Sequence, residues 1–199
     1  METVQLAAIP AALYWENPPV DFSTDGKAAL TITAGAQTDI FNNPLSTEIV
    51  NKSPRLLFSP QGNFTLSAKI EVEFQDMFDA GALVLYADPE HWIKLAFESS
   101  PQEPTVVSVV TRGRSDDCNS SVIAGNAVYL RLARVEAAFA LHYSLDGAYW
   151  HFVRLLNMGA LGKYAIGFST QSPVGAGCAA HFSEIEYTNR RLADLRNGE

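Results

Sequence analysis

The chain has 199 residues, 47% of them hydrophobic and 11% aromatic, enough for a substantial core and incompatible with global disorder. Its formal net charge of −8, from 14 basic and 22 acidic residues, argues against nucleic acid or an anionic membrane surface as a partner. No apolar run approaches a membrane-spanning length, and the first 20 residues lack the cationic start and apolar centre of a signal peptide, so the expected location is the cytoplasm.

In chain order, the first strand-like run is residues 28–33. Residues 38–52, which Asp39 opens, are the least regular part and read as a long loop near one rim. From 63 to 74 the apolar Phe64, Leu66, Ala68, Ile70, Val72 and Phe74 alternate with polar residues, the signature of a long half-buried strand. After a run at 80–86 comes the most informative segment, 92–98. Side chains alternate across a strand, so Ile93, Leu95 and Phe97 face the core while Trp92, Lys94, Ala96 and Glu98 share the opposite face. Further runs cover 105–112, 127–134, 137–144, 150–154, 163–170 and 177–187.

Turn residues punctuate these runs at Asp88-Pro89, Asp146-Gly147, Ser172-Pro173 and Gly175, and Leu145-Asp146-Gly147-Ala148 between two alternating runs is a hairpin signal. Only 189–196 has a helical pattern, with Asn189 as cap and Leu192 and Leu195 as a small apolar edge. Many strands joined by short turns, with no repeat or linker, predict an all-β sandwich of two antiparallel sheets in a single domain over 1–199, ending in a short helix. Cys118 and Cys178 lie far apart without a CxxC spacing and are expected as free thiols.

The order of local motifs resembles a known family. It runs through Thr38-Asp39-Ile40-Phe41, Gly62-Asn63-Phe64-Thr65-Leu66, Asp79-Ala80-Gly81-Ala82, Trp92-Ile93-Lys94 with Glu98, Tyr143-Ser144-Leu145-Asp146-Gly147 with Trp150 and Arg154, and Gly167-Phe168-Ser169-Thr170-Gln171-Ser172-Pro173. Over residues 15–187 this is similar to the domain-of-unknown-function 1349 family (DUF1349), a branch of the concanavalin A-like lectin/glucanase superfamily with a yeast regulator of enolase among its relatives. The resemblance implies a jelly-roll sandwich whose concave sheet face holds carbohydrate in many relatives; it implies no settled activity.

In such a sandwich Trp92, Lys94 and Glu98 gather on the concave side, where Arg131, with its neighbour Tyr129, and Arg154 and Gln171 from neighbouring strands are expected to join them. Asp116 and Asp117 follow a strand, and Asp39 opens the irregular loop at the same rim. Sugars offer an apolar ring face to Trp and hydroxyls to carboxylates, guanidinium and amide groups, while Lys94 and Arg154 also suit a phosphate. The plainer reading makes the charged residues a salt-bridged layer filling the concavity, and Trp92 a packing residue.

No spacing marks a metal site among His91, His142, His151 and His181, and no cofactor motif is present. Glu71 with Glu73, and Glu184 with Glu186, lack the third acid of a glucanase strand and read as a solvated face. Trp150 reads as packing, and Ser144 and Asp146 as turn chemistry. The expected function is a non-catalytic domain binding a carbohydrate or another small polar ligand. The alternatives are a glycoside hydrolase using Glu98 with Asp39 or Asp116, and a regulatory domain that binds a protein partner; the sequence leaves the oligomeric state open.

Overall fold

The computed structural model describes residues 3–196, 198 and 199. Strands in chain order are β1 (Thr3–Val4), β2 (Leu13–Glu16), β3 (Asp21–Thr24), β4 (Leu30–Gly35), β5 (Ile40–Asn42), β6 (Ile49–Asn51), β7 (Arg55–Phe58), β8 (Phe64–Val72) and β9 (Ala80–Asp88). They continue with β10 (His91–Ser100), β11 (Glu103–Arg112), β12 (Arg114–Val122), β13 (Ala127–Val135), β14 (Ala138–Ser144), β15 (His151–Asn157), β16 (Ala165–Gln171) and β17 (Gly177–Thr188). One sheet runs β1-β2-β7-β16-β9-β10-β11-β12, the other β15-β14-β13-β8-β17-β4-β3, and every pairing is antiparallel. This is an all-β jelly-roll sandwich.

The main core lies between the sheets because each supplies one alternating apolar face. Ile93, Leu95 and Phe97 of β10 meet Leu66, Ala68 and Ile70 of β8 there, as the period-two pattern predicts. Both flanking sheet edges need closure, and one ion pair serves. Asp116 on edge strand β12 and Arg154 on edge strand β15 sit opposite core residues Val110 and Leu141, so both lean into the gap between the sheets and bond at 2.9 Å.

Segment 38–52 is not a plain loop. It forms the β5–β6 hairpin, which lies across the eight-stranded sheet on the face turned away from the core. Ile40 seals a second apolar cluster there with Trp92, Leu57, Val84 and Val109. Polar bonds pin the hairpin at both ends. Thr38 and Ser172 exchange backbone bonds, and the Asn42 amide donates to the carbonyls of Pro89 and Gly113.

The C-terminal helix expected over 189–196 does not form; its described residues are irregular chain with a turn at the end. Eight residues are too few to nucleate a helix without help. Leu192 is instead buried against Ala133 and Val135, and the Leu195 carbonyl accepts a bond from His142 Nε2 at 2.7 Å, which ties the segment to the outer face of the seven-stranded sheet. The 145–148 hairpin behaves as its sequence dictates. Ser144 Oγ accepts the N–H of Asp146 and Gly147, and Asp146 Oδ1 accepts those of Ala148 and Tyr149.

Candidate functional site

Small residues on the outer face of the eight-stranded sheet make room for long polar ones. Ala80 on β9 lies directly between Glu98 of β10 and Gln171 of β16. With only a methyl group between them, Gln171 Nε2 reaches across to Glu98 Oε2 at 3.4 Å. Four residues back along β10, Lys94 stands in a row with Val109 of β11 and Asp117 of β12. Asp39 enters from the chain just before β5. Together Asp39, Lys94, Glu98, Asp117 and Gln171 line a cleft of about 190 Å³, which Phe41 and Phe78 close on its apolar side.

Lys94 is only 3% exposed and spends its ammonium inside the wall. It donates to Gln171 Oε1 at 2.8 Å, to Asp39 Oδ1 at 3.2 Å and to the Ile40 carbonyl at 3.2 Å, which uses every hydrogen it has. The Gln171 amide is equally committed, donating to the Phe78 carbonyl at 3.0 Å as well as to Glu98. Phe78 adopts a left-handed backbone, φ 68°, unusual for a bulky residue. It is held there by its N–H bond to the Ser99 carbonyl, while Asp79 Oδ2 caps the preceding turn through the N–H groups of Gln75 and Asp76.

Glu98 is 7% exposed. Burial pushes its carboxyl up to about 7; Lys94 and a hydrogen bond from Ser100 pull the other way, and the carboxylates of Asp39 and Asp117 push it further up. Asp117, at the mouth, is also raised, chiefly by desolvation, with Lys94 opposing and Asp39 reinforcing.

This shift has a measurable consequence. The folded state holds a Glu98 proton that the unfolded chain releases at about its ordinary 4.5. Stability is therefore expected to fall as pH rises from about 4.5 to about 7 and to level off above; at about 1.4 kcal/mol per pKa unit the decline is on the order of 3 kcal/mol. Glu98→Gln should remove that slope in urea unfolding followed across the same pH window. An unchanged slope would show that Glu98 ionises as a solvated carboxylate.

Of the residues expected at one site, Asp39, Lys94, Glu98, Asp117 and Gln171 converge, and five others, Trp92, Asp116, Tyr129, Arg131 and Arg154, do not. Trp92 shares the outer face of β10 but is 1% exposed under the β5–β6 hairpin, so no ring face is open for stacking. Asp116 and Asp117 are adjacent on a strand and therefore point to opposite sides; Asp116 belongs to the edge-closing pair with Arg154, away from the cleft. Arg131 lies on the other sheet. Its guanidinium stacks over Trp150 at 3.6 Å and donates to the Gly198 carbonyl, and burial lowers it to about 10. Tyr129 of the same strand donates to Glu184 at 2.9 Å. Lys94, with its donors spent, and Arg154, in the edge pair, do not form a phosphate site.

Sequence reasoning missed Phe41, Phe78 and Ser100. Their contribution is tertiary; Phe78 comes from a turn and Phe41 from the hairpin that was read as loop. Both thiols are free, Cys118 exposed and Cys178 buried, and burial raises Cys178 to about 12.

The fold and site thus define a jelly-roll β-sandwich with a small acidic cleft on one outer sheet face. Over residues 15–190 the chain matches the family described as protein of unknown function (DUF1349), and it belongs to that family. It is 26% identical over 187 residues to Regulation of enolase protein 1 of Saccharomyces cerevisiae, covering 91% of this chain and 93% of that protein. Among solved structures, a functionally unknown protein from Saccharomyces cerevisiae superposes with a TM-score of 0.81 at 23% identity, over 88% of this chain and 95% of that one. The GH43 BlXynB protein from Bacillus licheniformis gives a TM-score of 0.66 at 13% identity, over 81% of this chain and 33% of that one, a likeness of fold alone. No helix among the described residues is long and apolar enough to cross a membrane.

Proposed function

We propose that the cleft lined by Asp39, Lys94, Glu98, Asp117 and Gln171 binds a small, hydroxyl-rich polar ligand of about the size of one sugar ring. The observation that carries this reading is the donor and acceptor account of the walls. Lys94 and Gln171 have given their hydrogens to protein acceptors, whereas the carboxylates retain acceptor capacity. An occupant must therefore bring donors, as a sugar does, and an anion such as a sugar phosphate is disfavoured by the carboxylates. The volume of about 190 Å³ falls below the roughly 300–1,000 Å³ of sites for drug-sized molecules, which favours a single ring over an oligosaccharide. The left-handed Phe78 at the lip supports the same reading, because strain of about 1–3 kcal/mol is retained where the surroundings hold a functional geometry.

A panel of monosaccharides scored by thermal shift on wild type and on Asp117→Asn tests this. Stabilisation of the wild type that weakens in the variant is expected; equal responses in the two proteins, or none, would refute it.

A second reading rests on Glu98. A carboxyl held near 7 beside a further carboxylate is the pattern of a glycosidic general acid. Asp39 lines the same cleft and Asp116 does not, so the hydrolase reading retains only the Glu98–Asp39 pair. Turnover of chromogenic glycosides that Glu98→Gln abolishes would favour this reading over simple binding.

A further inference from the structure

We infer that the cleft selects ligands carrying a primary ammonium, an amino sugar over its neutral parent. This rests on the ligand-binding reading above and sharpens it from hydroxyl donors to a cationic donor.

Charge comes first. The cleft wall carries three carboxyl groups, Asp39, Glu98 and Asp117, against the single ammonium of Lys94. That ammonium touches Asp39, the Ile40 carbonyl and Gln171, and among the described residues Glu98 and Asp117 have no ion pair of their own. Among the described residues Glu98 receives Gln171 at 3.4 Å and the Ser100 hydroxyl, and Asp117 the N–H of Cys118. Burial and the carboxylates of Asp39 and Asp117 hold Glu98 close to half-protonated at neutral pH; a second cation beside it would draw it into its ionised form, which a neutral hydroxyl cannot do.

Donor number points the same way. An ammonium brings three hydrogens to a site rich in carboxylate lone pairs, and charge-assisted bonds are about twice as strong as neutral ones. The lining supplies the rest of the match, because Phe41 and Phe78 are among the residues that line the cleft, and aromatic side chains suit the carbon skeleton next to an ammonium. At the base of the cleft Glu98 and Lys94 are almost wholly buried, so the electrostatic preference is not screened as it would be on an open surface.

The test is calorimetric titration of the full chain at neutral pH with glucosamine, glucose and glucose 6-phosphate. Glucosamine is expected to bind about tenfold tighter than glucose, with the phosphate weakest. Asp117→Asn, which keeps the shape of the mouth and removes its charge, should bring glucosamine and glucose close to parity. Glucose binding as tightly as glucosamine would overturn the inference and leave the sugar-binding reading standing. Binding by neither would overturn both, and preferential binding of glucose 6-phosphate would overturn the charge argument beneath them. Because Asp117 lies exposed on an edge strand, its variant is expected to fold; an unchanged urea midpoint checks this.

Discussion

Trp92→Ala is expected to lose about 3–5 kcal/mol of folding stability, the range for emptying a large aromatic site in a packed core. The indole is 1% exposed and packs under Ile40 of the hairpin and in one cluster with Leu57, Val84 and Val109 of its own sheet, so its removal opens a void under the β5–β6 hairpin that these branched neighbours cannot fill. Urea unfolding should show a lower midpoint with an unchanged slope, and amide exchange should quicken in residues 40–51 before the main core responds. A loss below about 1 kcal/mol, paired with a weakened sugar response, would instead make Trp92 an open stacking platform.

Lys94→Met is expected to cost about 3–5 kcal/mol, at the lower end of that range because Asp39 keeps a fifth of its surface in water. The loss comes less from the ion pair than from what is left behind. Gln171 Oε1, the Ile40 carbonyl and Asp39 lose their donor in a nearly sealed place, and Glu98 loses the cation that opposes its desolvation. Glu98 should then hold its proton to still higher pH, so the stability decline shifts upward in the variant. For a chain of this size the penalty corresponds to roughly 6–20 °C in Tm by scanning calorimetry. A change within about 0.5 kcal/mol would mean that Lys94 is a solvated ligand group and not the clasp of the hairpin.

The two outcomes bear on how the fold was legible in the sequence. Alternation was enough to assign both faces of β10, because Ile93, Leu95 and Phe97 enter the main core as the period requires. It could not say that the other face would be roofed. That depends on the hairpin over 40–51, whose short strands carry an Asn-rich, Pro-interrupted sequence with little strand signal.

Strand β12 was missed for a related reason. Its Arg-Ser-Asp-Asp-Cys-Asn-Ser-Ser-Val sequence is polar and mostly exposed, as an edge strand is when it needs only backbone pairing to β11 and must repel further strands. Reading Asp116 and Asp117 as a loop pair placed them together; as strand residues they part to opposite faces.

Sheet assignment was the other limit. Arg131 alternates correctly on β13, but period two identifies residues on one face and is silent on which sheet that face belongs to. The strand order β10-β11-β12 in one sheet and β13-β14-β15 in the other sends Arg131 to the far side, and Arg154 to the seam between them. Asp39, Lys94, Glu98, Asp117 and Gln171 did come together, because the first leads directly into the hairpin clasped by Lys94 and the rest lie on one sheet face.

The titration of the Glu98 side-chain carboxyl, followed by carbon NMR with and without saturating glucose or glucosamine, tests the cleft most directly. A midpoint near 7 in the free protein, displaced when either sugar is added, is what a buried, donor-seeking site predicts. A midpoint near the ordinary 4.5, unmoved by both sugars, would contradict it.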